Sequence, residues 1–243
     1  MLAVLTGSAK LPMDVEAAVD LSAHSFGEAS GRVWRARLRG APILTLARHG
    51  DETHIAPHAI NYRANLYALA AAGARWIIAI HTVGGIRRDL QPGDLLVPDQ
   101  LIDYTHGRMQ TFAPDSQVRH IEFSQPFSAN LAEQLVDAAA SAGMVVQRGG
   151  VYGCTQGPRL ETAAEIDRLQ RDGCCVVGMT AMPEAALARE LGLDYVSLCL
   201  VVNPAAGRGS IEPVAMARAA AAGASSITQL VAACAKDLER RKH

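Results

Sequence analysis

No apolar run in this 243-residue chain approaches the ~20 residues that a membrane-spanning helix needs, and no repeat, charge block or low-complexity linker interrupts it. Net charge is nearly absent. The 23 Lys and Arg stand against 24 Asp and Glu, a formal charge of −1. That balance argues against a protein built to hold nucleic acid or a membrane surface. The five cysteines (Cys154, Cys174, Cys175, Cys199 and Cys234) form no CxxC pair, and no zinc-ligand spacing is present. Their odd number and apolar settings read as reduced, packed thiols. The opening MLAVLTGSAK lacks the basic front and apolar length of a secretory signal. The expectation is a cytoplasmic protein without a metal site.

What is present is apolar residue in short runs. Hydrophobic residues make up 49% of the chain, enough for a full core, and the length fits one domain over 1–243. LAVLT at 2–6, VWRARL at 33–38, PILTLA at 42–47, RWIIAIHT at 75–82, DLLVP at 94–98, GGVYGCT at 149–155 and CCVVG at 174–178 read as strands. So does the run that ends at Asn203. Helices are expected at 58–73, at 128–143 with Ser128 as N-cap, at 162–173, at 182–192 and in the tail from Ile211. Such alternation predicts an α/β fold with a parallel or mixed sheet between helices. The long polar stretch 99–127 reads as a functional or interface loop.

Ligands in such sheets collect beyond the carboxyl ends of strands. Several predicted strands end in anion donors. Ser8 follows Gly7, where a hydroxyl and unhindered N–H groups converge, although TGSA is not a Walker loop. Arg48, before His49 and Gly50, is either a phosphate fork or an ion-pair partner. Thr82 precedes Gly84 and Gly85. Thr180 opens a helix, as an anion donor or as a plain N-cap. Asn203 closes the last strand, either as turn chemistry or as a ligand reader.

RHG at 48–50, NYRAN at 61–65, VGGI at 83–86, DLLVPDQLIDYT at 94–105, GPRLETAAE at 157–165 and GMTAMPEAALARELGL at 178–193 resemble the trimeric purine nucleoside and methylthioadenosine phosphorylases. The likeness runs from about residue 4 to 220. It implies a purine nucleoside phosphorylase-like three-layer α/β/α fold with a mixed central sheet, a homotrimer, inorganic phosphate as co-substrate and no other cofactor. It places Ser8, Arg48, His49, Thr82 and Thr180 on phosphate, Met179 on ribose, Leu160 on the purine face, and Glu161 and Asn203 on the base. It sends His120 to a neighbouring subunit's site and sets Val214 and Ala217, with Met216 beside them, near the 5′ pocket. The chain departs from the family at TGSA, at His81 and at Thr53. His81 is either a strand histidine bonded beside the site or a direct phosphate or ribose contact. Glu184 either reaches the sugar, supports Met179 or forms an ion pair.

Cleavage of a purine nucleoside by phosphate leaves negative charge on the departing base. An amide at Asn203 suits a 6-oxopurine, because its oxygen accepts from N7–H while its NH₂ donates to O6. A carboxylate suits a 6-aminopurine. Methylthioadenosine phosphorylases carry aspartates at this strand end; here the sequence is VNPA, with Asn203 and Ala205. The apolar 5′ wall favours a thioether over a hydroxyl. The expected reaction is phosphorolysis of S-methyl-5′-thioinosine, catalysed with Asn203 at the base. The alternatives are phosphorolysis of inosine and guanosine or of methylthioadenosine, a hydrolytic nucleosidase, and a binding protein without turnover.

Overall fold

The computed structural model describes residues 1–51 and 54–240; the predicted departure at Thr53 lies outside the described residues. The strands are β1 (Leu2–Thr6), β2 (Asp14–Ala18), β3 (Trp34–Leu38), β4 (Ala41–Ala47), β5 (Trp76–Gly85), β6 (Leu95–Val97), β7 (Gln100–Asp103), β8 (Gln147–Arg148), β9 (Val151–Cys154), β10 (Cys174–Gly178) and β11 (Asp194–Pro204). The helices are α1 (Tyr62–Ala71), α2 (Ala129–Ser141), α3 (Ala163–Arg171), α4 (Ala181–Glu190) and α5 (Pro213–Arg240).

All eleven strands join one mixed sheet. Its main path runs β2-β3-β4-β1-β5-β10-β9-β7, and β11, β6 and β8 branch from β5. Residues alternate across β5 and β11 with the period of two that a pleated strand imposes. Ile78, Ile80, Val196, Leu198 and Leu200 pack with α2 and α5 on one face. Ile77, Ala79, Tyr195, Cys199 and Val201 pack with α1 and α4 on the other. The result is three layers, α/β/α, as expected.

Local chemistry sets the helix starts. Ser128 Oγ accepts from Leu131 N at 3.3 Å at the head of α2, and Thr162 with Glu165 closes a capping box on α3. Three strands were not foreseen, the two-residue β8 among them. β2 is an edge strand exposed along most of its length, and β7 lies inside the predicted 99–127 loop. Neither shows the apolar alternation that marks a half-buried strand. Predicted helix 58–73 resolves into a 3-10 turn at Pro57–Ala59 followed by α1.

The branch at β5 positions the site. β1 pairs with β5 in parallel as far as Leu5 opposite Ala79. β10 pairs with the same strand in the opposite sense, at Val177 opposite Gly84. The carboxyl ends of β1 and β10 therefore face each other across the middle of β5. The sheet opens there into a crevice at a topological switch point, where α/β sheets bind ligands. β5 does not end at Thr82 as predicted. It runs on to Gly85, so His81 and Thr82 are mid-strand residues beside the gap.

Candidate active site

The crevice holds a cavity of about 390 Å³. Gly7 and Ser8 after β1, Arg48 and His49 after β4, Thr82 on β5 and Thr180 before α4 line one part of it. Leu160, Glu161, Met179, Asn203 and Ala205 line the rest.

Arg48 is the buried centre of this wall, 1% exposed. Its backbone N–H donates to Thr6 O at 2.9 Å, which ties the ends of β4 and β1. Its Nη1 donates to Ile80 O at 2.9 Å, in the gap between β1 and β10 along one edge of β5. Nε and Nη2 grip the two oxygens of Glu184, the latter at 3.1 Å. Tyr195 Oη donates to the same carboxylate at 2.8 Å. Of the five guanidinium N–H groups, four have these partners or His81, leaving one on Nη1 with no acceptor among the described residues. Gly7 permits the approach, since a Cβ there would lie 2.8 Å from Arg48 Nη1.

Glu184 thus resolves as a buried ion-pair partner, fully enclosed and off the cavity wall. Burial alone would push its carboxyl up; Arg48 outweighs that and holds it at about 2. His81 is buried behind the same pair. Arg48 Nη2 can only donate, so His81 Nε2, at 3.2 Å, accepts. Its Nδ1–H then donates to Ser197 Oγ at 2.7 Å. Glu184 Oε2 stands 3.6 Å from Nε2, too far for a hydrogen bond. Burial, then the Arg48 charge, pushes the imidazole down to about 4, so it is neutral at pH 7. His81 does not line the cavity; the reading of a histidine bonded beside the site holds.

His49 does line it. Its Nδ1–H donates to Ile55 O at 2.8 Å and its ring stacks on His54 at 4.8 Å. Burial, opposed by the Ile55 bond, lowers its pKa. Thr180 makes no side-chain cap bond to α4, so its hydroxyl is not consumed by capping. Ala9 is buried and has no positive φ, so TGSA costs no backbone strain there.

On the opposite wall, Asn203 is 7% exposed at the end of β11. Its Nδ2 donates to Pro204 O at 2.6 Å, leaving Oδ1 and one N–H. Glu161 accepts from Thr155 Oγ1 at 2.6 Å. Leu160 is 46% exposed on the rim. Gly178 packs directly on Tyr152, whose Oη a Cβ would meet at 2.1 Å.

A second cavity of about 660 Å³ adjoins the first and shares Ser8, Thr82, Val202 and Met216 with it. Ala217, Ala220 and Ala224 of α5 make its wall apolar, with Lys10 at its edge. Val214 is 83% exposed at the start of α5 and lines neither cavity, and His120, also exposed, lines neither.

Arg108 escaped the sequence reading. From the 99–127 stretch it donates to Met179 O at 2.8 Å, Met182 O at 2.5 Å and Gln156 O at 2.9 Å, over the face of Tyr62. One side chain thereby ties the two loops that carry Met179 and Glu161. No spacing pattern could mark it, because its partners are backbone carbonyls far away in sequence. Among the described residues no cluster of His, Cys, Asp or Glu could hold a metal, and no helix is long and apolar enough to cross a membrane.

The sequence profile of the Phosphorylase superfamily matches residues 2–236. The chain belongs to that superfamily. As a phosphorylase it uses phosphate as co-substrate. It is 52% identical over 187 residues, 76% of each chain, to a probable S-methyl-5′-thioinosine phosphorylase of Pseudomonas syringae pv. tomato. It is 46% identical over 216 residues to a protein of the same name from Xanthomonas campestris pv. campestris, covering 87% of this chain and 86% of that one. Among solved structures it is similar to the Schistosoma mansoni methylthioadenosine phosphorylase in complex with tubercidin. The TM-score is 0.89 at 25% identity, over 98% of this chain and 92% of that one.

Proposed function

We propose that this phosphorylase cleaves S-methyl-5′-thioinosine with phosphate, yielding hypoxanthine and 5-methylthioribose 1-phosphate. The observation that carries this reading is the pairing of Asn203 with Ala205 at the end of β11: an amide faces the cavity, and the next position toward it bears no carboxylate. The names of the bacterial relatives agree.

In the reaction the N9–C1′ bond breaks with its electron pair leaving on the purine, and a phosphate oxygen bonds C1′. Ser8, Arg48, Thr82 and Thr180 hold the phosphate through hydroxyls and the free Nη1–H, and His49, whose Nδ1–H is taken by Ile55 O, accepts through Nε2 from a protonated phosphate oxygen. The Arg48–Glu184 pair is nearly neutral as a unit, so it orients donors more than it adds net charge. Met179 packs on the ribose and Leu160 on the purine face. The departing base takes a proton at N7 from water; Asn203 Oδ1 then accepts from N7–H, stabilising the base, while its free N–H donates to O6. Glu161 accepts from N1–H. Met216 and Ala217 wall the methylthio group. The working form is a cytoplasmic homotrimer in which His120 closes a neighbouring subunit's site.

Purified protein incubated with methylthioinosine should release hypoxanthine only when phosphate is present. Release without phosphate would make it a hydrolase, and binding without release would remove the enzymatic reading. Faster turnover of inosine than of methylthioinosine would move the assignment to an ordinary purine nucleoside phosphorylase.

A further inference from the structure

Glu161 is steered by a residue that does not itself reach the cavity. Thr155 follows β9, and its backbone N–H donates to Gly178 O at 2.8 Å, fixing it against the end of β10. Its hydroxyl has one proton and two acceptors, Glu161 Oε1 at 2.6 Å and Gly178 O at 3.4 Å. The shorter bond takes the proton. No other group among the described residues hydrogen-bonds the Glu161 carboxylate, and Oε2 is left for a ligand. The chain from 155 to 161 is pinned at both ends, by Thr155 on β10 and by the Thr162 capping box on α3. Only the Glu161 side chain itself remains to be oriented.

We infer that Thr155 is a positioning residue that sets the base preference of the site through Glu161. The inference rests on the reading of Glu161 as the acceptor for purine N1–H. A 6-oxopurine presents N1–H, a donor that an ionised carboxylate can accept. A 6-aminopurine presents a bare N1, so a fixed carboxylate sets acceptor against acceptor. A carboxylate free to swing loses the first interaction and relieves the second. Thr155 therefore acts on selectivity as well as on rate.

The test compares wild type with Thr155→Val, Thr155→Ser and Glu161→Gln. It reads kcat and KM for methylthioinosine, KM for phosphate, and the dissociation constants of hypoxanthine and adenine. Thr155→Val is nearly isosteric, so it leaves the packing intact. The expected result is a roughly tenfold loss in kcat/KM for the nucleoside and a similar loss of hypoxanthine affinity. Adenine affinity holds or rises, phosphate KM stays within about twofold, and Thr155→Ser recovers most of the loss. If Thr155→Val behaves as wild type while Glu161→Gln loses hypoxanthine affinity, the role of Thr155 is overturned and the Glu161 reading survives. If both behave as wild type, Glu161 is not the base reader and both fall. If Thr155→Val weakens phosphate and both bases alike, or Thr155→Ser fails to rescue it, Thr155 is only a structural strut and the inference is overturned.

Discussion

Replacing Glu184 by Gln removes one charge from the buried pair that aims Arg48 while nearly preserving shape. Both partners are about fully buried, so solvent screening offers no relief. Breaking a buried pair by removing one partner costs about 3–5 kcal/mol. The carboxyl itself supplies a second route to the number. Its value falls from an ordinary 4.5 to about 2 in the folded chain. At about 1.36 kcal/mol per pH unit, that interval amounts to about 3 kcal/mol of stability. The sign follows from the depression: the contribution is complete above 4.5 and is lost as pH falls toward 2. Urea unfolding followed by tryptophan fluorescence should show Glu184→Gln destabilised by about 3 kcal/mol at pH 7, with the gap closing between pH 4.5 and about 2. The same variant should bind phosphate more weakly, since the guanidinium keeps one amide oxygen as acceptor but meets an NH₂ donor in place of the other carboxylate oxygen. A loss under about 1 kcal/mol at pH 7, or a gap that ignores pH, would refute the picture of a charged buried pair.

Other variants probe the surroundings of that pair. His81, lowered from 6.5 to about 4, is neutral in the fold, so the unfolded chain takes up its proton first. Stability should decline as pH falls from 6.5 toward 4, and His81→Gln should flatten that slope without abolishing it, because His49 is lowered too. Gly178→Ala should cost about 1–3 kcal/mol in thermal unfolding, since its Cβ meets the rigid Tyr152 ring, with partial recovery in Tyr152→Phe. Arg108→Met should raise nucleoside KM about tenfold or more by freeing the Met179 and Gln156 loops, and added guanidinium ion should restore part of the activity.

The layers and the strand-end site were legible because they rest on local periodicity. β4 and β11 are short apolar runs that stop at polar residues, and Arg48 and Asn203 stand at those stops. The continuation of β5 was hidden because Gly84 and Gly85 read as a turn. In the fold they are strand residues whose missing side chains make room for Asn203, Val177 and Leu90. Edge strands β2 and β7 carry little apolar alternation and so gave no signal. The Arg48–Glu184–His81 cluster joins residues up to 136 positions apart, and Arg108 acts on carbonyls, so neither leaves a pattern along the chain. Of the residues expected at the 5′ wall, Met216 and Ala217 line the cavities and Val214 is turned to solvent.

The central claim is that one amide at the end of β11 selects a 6-oxopurine. The direct measurement is kcat/KM for methylthioinosine and methylthioadenosine with wild type and with Asn203→Asp, products identified chromatographically. The account predicts hypoxanthine from methylthioinosine as the main wild-type product. In Asn203→Asp the ratio of the two substrates should shift toward methylthioadenosine by about ten- to a hundredfold. Wild-type release of adenine from methylthioadenosine at a higher kcat/KM, or an unchanged ratio in Asn203→Asp, would contradict it.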